Sequence, residues 1–271
     1  MIYNHFGAVH EVYGTSSKCP ENDHNFRCDL RNEDEVKALS EIVQPDVVIH
    51  AAGQKDIAFC EGHAEEAFAI NSHATENVAK VFGKSRIYYI STDYVFEGKA
   101  GNYGEDDATV PLTIYGKSKL SGEQQGLRIA NGNFTVIRTA ALYNSNSNFI
   151  EYLTNNLTSG QVVSCFTDTF YSPTYYADLL NLLTCLLRGT YDRQIYHVCG
   201  SKTSRYEFAL LVAQAFNYDL ELIQPSFRPS QNWYLLLDLS LSCAVSQAIL
   251  GHRQTPHWQA LQALAAQRVY L

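Results

Sequence analysis

Residues Asp46–Ala52 form the continuous apolar run DVVIHAA. A run of this length without polar alternation is typical of a strand buried on both faces of a parallel sheet. The helical stretch His63–Phe82 and a second apolar run, Arg86–Ser91 (RIYYIS), follow it. This strand–helix–strand unit predicts a parallel sheet with a right-handed crossover.

The same alternation continues outward in both directions. Upstream, His10–Ser16 (HEVYGTS) predicts a strand, and Asn32 with Glu35 predicts a capping box that opens a helix to about Val43. The elements predicted downstream are a helix over Tyr115–Ile129, a strand over Phe134–Thr139, helices over Phe149–Leu157 and Tyr176–Leu187, strands over Gln161–Phe166 and Ile195–Cys199, a helix from Ser204 to Phe216 with Ser204 and Glu207 as its capping box, a polar loop over Pro225–Trp233, and closing helices over Leu239–Leu250 and Trp258–Leu264.

This pattern predicts an α/β fold with a Rossmann-like, doubly wound parallel sheet. The alternation is regular to about residue 140 and looser beyond it, and 271 residues are long for one ordinary domain. We therefore predict a dinucleotide-binding domain over 1–145 and a small α+β substrate-binding lobe over 146–271, with some segments returning to the first domain. Ligands of such folds lie beyond the carboxyl ends of the strands.

The composition excludes several classes of protein. Hydrophobic residues make up 46% and charged residues 18%, which allows a sizeable core and rules out a disordered or collagen-like chain. The net charge is −8 and the basic residues form no clusters, so nucleic acid is not an expected partner. No apolar run approaches the roughly 18 residues of a membrane helix. The N-terminus lacks the features of a signal peptide, so we expect a cytoplasmic protein without a membrane partner.

Cysteine and histidine spacing gives no support for a metal site. The seven cysteines are odd in number, widely spaced and free of any CxxC pair, which argues against a disulfide framework and against zinc. We expect mostly buried thiols in a reducing compartment. The nine histidines show no HExxH spacing. No metal is predicted.

The residues with the clearest chemical pattern are Tyr115-Gly-Lys-Ser-Lys119. Spacing of four on a helix places Tyr115 and Lys119 on one face, one turn apart. An ammonium group about 4 Å from the phenol favours the phenolate by roughly 1–4 kcal/mol, which predicts a Tyr115 pKa lowered by about one to three units. Tyr115 then becomes a usable acid or base. The alternative is a surface pair without function.

A hydroxyl group is predicted close to this pair. Thr92 follows the buried strand Arg86–Ser91, at the sheet edge where ligands bind. Its hydroxyl could hydrogen-bond a carbonyl oxygen of the substrate while Tyr115 protonates it. The alternative is a turn cap, which is common for Ser-Thr-Asp strings.

These stretches together resemble the extended short-chain dehydrogenase/reductases, in particular the dTDP-4-dehydrorhamnose reductase branch of the sugar-nucleotide reductases. The specific matches are STDYVFEG at Ser91–Gly98 and YGKSKLSGE at Tyr115–Glu123, and PDVVIHAAG at Pro45–Gly53 also matches. The resemblance extends over most of the chain. It implies a Rossmann-like domain and a reductase activity.

The resemblance implies a role for each matching residue of the active site. Tyr115 is similar to the proton donor, Lys119 to the residue that tunes it and holds the nicotinamide ribose, and Thr92 to the hydroxyl that orients the carbonyl. Asp93 and Tyr94 are similar to residues of the substrate pocket. Arginine residues that could meet the substrate phosphates are Arg138, Arg205 and Arg228, for each of which an ordinary salt bridge is the alternative.

The resemblance implies cofactor contacts at the ends of two predicted strands and at one further pair of residues. Ala51, Ala52 and Gly53 lie where the family's backbone passes the cofactor. Asp29 and Leu30 are similar to the pair beside the adenine. No acidic residue ends the strand before Ser16, Ser17 and Lys18, so these residues favour NADP, with NAD as the alternative. Asn71 lies where the family places a residue on the active-site helix, or else is a polar group on the face of a helix.

The N-terminus departs from the family pattern. The family begins with a strand and a glycine-rich GxxGxxG turn that holds the cofactor pyrophosphate. This chain instead opens with MIYNHFGAVHEVYG, which aligns with the end of the first helix of the family. We expect the strands His10–Ser16 and Asp46–Ala52 to lack a middle partner, and nucleotide binding to be weak. A wrong start site explains this better than a truncated paralogue.

Three functions follow from the resemblance. The first is the NADPH-dependent reduction of a nucleotide-linked 4-keto-sugar by a protein that could form a homodimer. The second is an epimerase or dehydratase acting on nucleotide sugars. The third is a non-catalytic, dinucleotide-binding regulatory subunit, similar to that of methionine adenosyltransferase.

Overall fold

The computed structural model describes residues 2–18, 22–231, 234–251 and 254–268. Within them the chain forms two compact units. Unit 1 contains the described parts of residues 1–95, 111–138 and 191–196, and unit 2 the described parts of residues 96–110, 139–190 and 197–271. Cys19, one of the seven cysteines, lies outside the described residues.

Unit 1 is built around a four-stranded sheet with the order β10-β5-β4-β3. The strands β3 and β4 run parallel, with Ile49 opposite Tyr88. The strands β1 and β2 form a separate parallel pair. The strands are β1 (Gly14–Ser16), β2 (Asn25–Arg27), β3 (Val47–His50), β4 (Arg86–Thr92), β5 (Phe134–Thr139) and β10 (Ile195–Val198), the last of which continues into unit 2.

The helices of unit 1 share one hydrophobic core with this sheet. Val36, Val78, Ile87 and Phe134 are among its most buried members, and they come from two helices and two strands. The helices are α1 (Ile2–Phe6), α2 (Glu33–Ile42), α3 (Ile57–Gly62), α4 (Ala64–Phe68), α5 (Ala74–Phe82) and α6 (Ile114–Ile129), with a 3₁₀ turn at Asp93–Val95.

The pairing of the N-terminal strands agrees with the prediction from the sequence, but the length of the first strand does not. Among the described residues β1 pairs with β2 and not with β3, so β3 is an edge of the four-stranded sheet. The first strand is shorter than the predicted His10–Ser16, because only Gly14–Ser16 finds a partner, in Asn25–Arg27.

The predicted capping box at Asn32 is wrong, although Asn32 does cap α2. The Asn32 side chain accepts a hydrogen bond from the backbone N–H of Asp34. The Glu35 carboxylate does not bond back to the Asn32 N–H, because it accepts from the Asp29 N–H at 2.8 Å and from the Asn32 amide at 3.0 Å. It therefore ties the end of the β2 loop to the helix.

The long helix predicted over His63–Phe82 is confirmed, with one irregularity. Between α4 and α5 lies a π-helical segment, Ala69–His73. Such single-turn widenings are rare and often occur at functional sites. This segment carries Asn71.

Unit 2 has its own core, formed mainly by α7, α9 and α11. The capping box of Ser204 and Glu207 at the start of α9 is confirmed. The elements are β6 (Leu142–Tyr143), α7 (Asn148–Thr158), β7 (Val163–Phe166), β8 (Phe170–Tyr171), β9 (Thr174–Tyr175), α8 (Tyr176–Arg188), β11 (Thr203–Ser204), α9 (Arg205–Ala215), a 3₁₀ turn (Leu220–Leu222), β12 (Ile223–Ser226), α10 (Ala244–Leu250) and α11 (His257–Arg268).

Two predictions for unit 2 are wrong. Pro225 lies in β12, which pairs in parallel with β7, rather than in a loop. Residues 239–243 are not helical, because Leu241 bridges to Tyr103 and Ser240 accepts and donates hydrogen bonds within this loop system. The last two residues of the predicted loop Pro225–Trp233 lie outside the described residues. None of the described helices is long and apolar enough to cross a membrane.

Gly126 tests the close approach of α6 to β5. A Cβ atom at this position would overlap the Phe134 ring, which has no exposed surface. We expect Gly126→Ala to lower the free energy of unfolding by about 1–3 kcal/mol, because the core cannot relax around the added methyl group. Urea denaturation measures the change. In the matched control Gly62→Ala the new methyl group meets no atom within 4 Å, so equal effects of the two variants would contradict this packing.

Candidate active site

The carboxyl end of β4 meets the first turns of α6. The Lys119 ammonium donates a hydrogen bond to the Ile90 carbonyl oxygen at 2.7 Å. The Thr92 hydroxyl is close enough to the Tyr115 phenol to lower the pKa of that phenol. The three residues that the sequence predicts for catalysis therefore lie together at one edge of the sheet, at the end where doubly wound folds bind ligands.

The start of α6 is fixed by two caps from different parts of the chain. The Thr113 hydroxyl accepts a hydrogen bond from the Gly116 N–H at 3.0 Å. The Glu61 carboxylate, on α3, accepts from the Ile114 N–H at 2.7 Å. Two of the free N–H groups at the helix N-terminus are thereby satisfied, which fixes the start of α6 at Ile114, one residue before Tyr115.

Tyr115 is half-buried, and its ring meets Tyr94 edge to face at 5.6 Å between centroids. Burial raises the pKa of the Tyr115 phenol, the hydrogen bond with Thr92 opposes this, and the negative charge of Asp93 adds to it. The predicted lowering of the Tyr115 pKa is therefore wrong for the protein without ligand. The phenol is protonated at neutral pH and can act as a proton donor.

Lys119 is not among the groups that shift the Tyr115 pKa, and its ammonium group contacts other groups. The ammonium group lies 3.9 Å from the centroid of the Tyr89 ring and donates to Ile90. The side chain is buried, with 5% of its surface exposed. Burial lowers the Lys119 pKa to about 7, and the carboxylate of Glu123 opposes this. Near neutrality the ammonium group is thus close to its own titration point.

Thr92 is oriented by its neighbours in the 3₁₀ turn. Its hydroxyl donates to the Asp93 carboxylate at 3.0 Å and accepts from the Tyr94 N–H at 3.3 Å. Both Thr92 and Asp93 are buried, and Tyr94 is half-buried. The turn that carries the predicted substrate-pocket residues therefore also fixes the hydroxyl beside Tyr115.

The residues after β3 form an open shelf of backbone next to Lys119. Ala51, Ala52 and Gly53 are exposed. A Cβ atom at Gly53 would lie 2.9 Å from the Asn71 side-chain oxygen and 3.8 Å from the Lys119 ammonium nitrogen. Any side chain at this position would fill the space in front of Lys119.

Asn71 is a buried polar group of its helix and holds this shelf in place. It has no exposed surface. Its side chain accepts from the Gln54 N–H at 2.8 Å and donates to the Gln54 carbonyl at 3.0 Å. It also donates to the Ser118 hydroxyl at 3.0 Å. One amide therefore connects the π-helical segment, the loop after β3 and α6.

The predicted adenine-end residues follow β1 and β2. Ser16, Ser17 and Lys18 are exposed. Asp29 forms an ion pair with Arg31 at 2.6 Å, and the hydrogen bond from Arg31 holds the Asp29 pKa below its usual range. The Leu30 carbonyl accepts from the Asn77 amide at 3.0 Å. Ser16, Ser17 and Lys18 lie at a strand end as predicted, and Asp29 and Leu30 follow a strand that was not predicted. The roles of both sets toward a cofactor remain predictions.

The three arginines predicted to meet substrate phosphates each contact other protein groups. Arg138 is buried and pairs with the Glu123 carboxylate, with 2.8 Å for its shortest hydrogen bond. Arg138 therefore forms a salt bridge, which is the alternative stated for it. In unit 2 the Arg205 guanidinium lies 4.3 Å from the centroid of the Tyr171 ring, and the Arg228 N–H donates to Asp168.

The sequence also contains a glycine pattern away from the N-terminus. Gly98, Gly101 and Gly104 have GxxGxxG spacing but lie in a loop of unit 2. Gly98 and Gly101 have φ values of 70° and 68°, and the latter abuts the Asp238 carboxylate. No helix follows Gly104 directly, so this loop lacks the N-terminal dipole of a phosphate-binding turn. Among the described residues no cluster of three or more His, Cys, Asp or Glu side chains is arranged to hold a metal ion.

Comparison with known proteins agrees with this arrangement. Residues 4–233 match the family described as RmlD substrate binding domain. The chain therefore belongs to this family, whose relatives and structural neighbours include dTDP-4-dehydrorhamnose reductases of the extended short-chain dehydrogenase/reductase type.

Two curated relatives and one solved structure illustrate the similarity. Methionine adenosyltransferase 2 subunit beta of Danio rerio is 35% identical over 71% of this chain and 62% of its own length. The dTDP-4-dehydrorhamnose reductase of Mycolicibacterium smegmatis is 32% identical over 73% and 62%. The dTDP-4-dehydrorhamnose reductase of Bacillus anthracis str. Ames, solved in complex with NADP, superposes with a TM-score of 0.81 at 26% identity, covering 90% of this chain and 89% of that one. The chain thus spans about three-fifths of the curated relatives.

His50, at the end of β3, makes the site sensitive to acid. It is buried, it contacts the Thr75 hydroxyl at 3.0 Å, and burial followed by the charge of Lys119 lowers its pKa to about 3. In the unfolded chain His50 binds a proton near pH 6.5, whereas in the folded chain it does so only near pH 3. The free energy of unfolding therefore falls as the pH drops from about 6.5 towards 3.

We therefore expect His50 to cost about 2 kcal/mol of unfolding free energy at pH 5 relative to pH 7. His50→Gln keeps a partner for Thr75 without titrating, so it should lose less stability over this interval. Urea denaturation at both pH values checks this, with the exposed His63→Gln as the control. A His50→Gln protein with the pH dependence of the wild type would contradict the prediction.

Proposed function

We propose that the chain reduces the keto group of a nucleotide-linked 4-keto-sugar with NADPH. The observation that carries this proposal is the convergence of Thr92, Tyr115 and Lys119 at the carboxyl end of β4. A protonated phenol, a hydroxyl and a buried amine form the set that carbonyl reduction needs. Family membership and relatives named dTDP-4-dehydrorhamnose reductase give further support.

The residues divide the proton chemistry among them. NADPH, when bound, supplies the hydride that the keto carbon accepts. Tyr115 donates the proton to the keto oxygen, and its raised pKa keeps this proton available at neutral pH. Rotation of the Thr92 hydroxyl from Asp93 towards the substrate orients that oxygen. The charged form of Lys119 then stabilises the phenolate that Tyr115 leaves behind.

The cofactor contacts of the proposal begin at the shelf described above. Ala51–Gly53 and Lys119 would hold the nicotinamide ribose end. Ser16, Ser17 and Lys18 offer hydroxyls and a cation where an acidic side chain would select NAD. We therefore assign NADPH as the preferred cofactor, with NADH as the alternative.

Removing the proton donor tests the reaction. We expect Tyr115→Phe to lower kcat by about 10²–10⁴-fold, because general acid catalysis contributes this much. The assay follows nicotinamide absorbance with a dTDP-4-keto-6-deoxy-sugar and NADPH raised to millimolar concentration, to saturate a weak site. Tyr152→Phe, an exposed tyrosine of α7, is the matched control. Absence of turnover by the wild-type chain at saturating NADPH would remove the reductase proposal.

Charge reversal at Lys18 tests the choice of cofactor. We expect Lys18→Glu to weaken NADPH binding at least about tenfold more than NADH binding, because the 2′-phosphate meets a negative charge. Fluorescence titration gives both dissociation constants. Lys84→Glu is the control, since Lys84 is also exposed but precedes β4, at the amino end of that strand. Equal losses for both cofactors would show that Lys18 does not contact this phosphate.

A second candidate function is that of a regulatory subunit. It is favoured by the 35% identity to a protein named as a subunit of methionine adenosyltransferase 2. In this case the chain would form a stoichiometric complex with a methionine adenosyltransferase catalytic chain, and Tyr115→Phe would leave that complex intact. Size-exclusion chromatography with light scattering of the mixed proteins distinguishes the candidates. A reductase that does not bind the catalytic chain would elute with the same molar mass as it does alone.

A further inference from the structure

Three residues of α6 form one stripe that faces β4. Tyr115, Lys119 and Glu123 are spaced by four, which places them on the same side of the helix. Their partners on β4 are consecutive: Thr92 for Tyr115, Ile90 for Lys119 and Ser91 for Glu123. The Ser91 hydroxyl donates to the Glu123 carboxylate at 2.5 Å. Glu123 therefore belongs to the same contact as the proposed catalytic pair.

The Glu123 carboxylate is held on its other side by Arg138. The guanidinium donates to it through Nε at 3.1 Å and through a terminal nitrogen at 2.8 Å. Glu123 is 1% exposed and Arg138 is 3% exposed. Ser91 and the Arg138 guanidinium thus bind the Glu123 carboxylate in a buried ion pair. This carboxylate lies one helical turn from Lys119 on the same side of α6.

Three titratable neighbours of Lys119 among the described residues are uncharged at neutral pH, and the negative charge of Asp93, in the 3₁₀ turn after β4, acts on Tyr115. From β3, His50 is neutral because burial and the charge of Lys119 hold its pKa near 3. From β4, burial raises the pKa of the Tyr89 phenol, so this ring is also neutral. Tyr115 on α6 is protonated for the same reason. Glu123 is the group whose charge raises the Lys119 pKa against the effect of burial.

We infer that Glu123 is a positioning residue that keeps the Lys119 ammonium charged, and that Ser91 and Arg138 fix Glu123 for this task. The inference rests on the proposed function for the role of Lys119 in catalysis. It assigns the Arg138 guanidinium to the support of the site instead of to a substrate phosphate. A Glu–Arg pair that only joined α6 to β5 would not determine the protonation state of Lys119.

The sign of the change in the Lys119 pKa separates these two roles. Glu123→Gln removes the negative charge, so we expect the Lys119 pKa to fall by about 1 unit or more. Arg138→Met leaves the carboxylate without its counter-charge, so the Lys119 pKa should rise. Glu123→Asp keeps the charge and should stay close to the wild-type value. A purely structural pair would instead give two variants that lose stability together and leave the Lys119 pKa alone.

The measurement is an NMR titration of the whole chain labelled with ¹³C at the lysine ε-carbons, with the Lys119 signal assigned by Lys119→Met. It needs neither cofactor nor substrate, so it can fail or succeed independently of the reductase assay. A Lys119 pKa that is unchanged in Glu123→Gln, or that moves in the same direction in Glu123→Gln and Arg138→Met, would overturn the inference.

A double variant keeps the test decisive if a single variant does not fold. Replacing a buried ion pair by apolar side chains of similar volume is often tolerated. In Glu123→Leu with Arg138→Met we expect the Lys119 pKa to fall, because the lost charge that acts on Lys119 is that of the Glu123 carboxylate. An unchanged pKa in the folded double variant would also overturn the inference.

Discussion

The contact between the last three residues of β4 and one stripe of α6 is the constraint on which the site depends. A backbone carbonyl and two hydroxyls of consecutive residues, Ile90 to Thr92, meet three side chains spaced by four. A shift of α6 by one residue would rotate this stripe by about 100° and break all three contacts. The two caps at the start of α6, from Thr113 and Glu61, therefore serve the site as well as the helix.

Burial gives this contact its chemical character. Taking a phenol out of water keeps it protonated, and taking an ammonium group out of water brings its pKa down to neutrality. Burial thus disfavours the negative phenolate of Tyr115 and the positive ammonium group of Lys119 alike. It favours the neutral form of both side chains unless another charge acts on them. Glu123, buried on the same side of α6, provides such a charge.

The sheet edge beside this site has a different character. The strand β3 is only partly buried along Val47–Ile49, although its sequence is apolar. The pair β1–β2 lies apart from the four-stranded sheet. This matches the expectation that the strands on either side lack a middle partner. The contacts that hold Asn71, Gln54 and Ser118 together keep the loop after β3 in place despite the open edge.

Sequence alone determined the elements whose signals are local. The apolar runs gave β3, β4 and β5, and the spacing of Tyr115 and Lys119 placed them on one side of α6. Tertiary structure decided everything that depends on a distant partner. Lys119 bonds to Ile90 rather than lowering the Tyr115 pKa, Arg138 binds Glu123, and the GxxGxxG spacing at Gly98 folds into a loop. Periodicity and capping act between residues a few positions apart, whereas desolvation and ion pairing depend on which atoms the folded chain brings within a few ångströms.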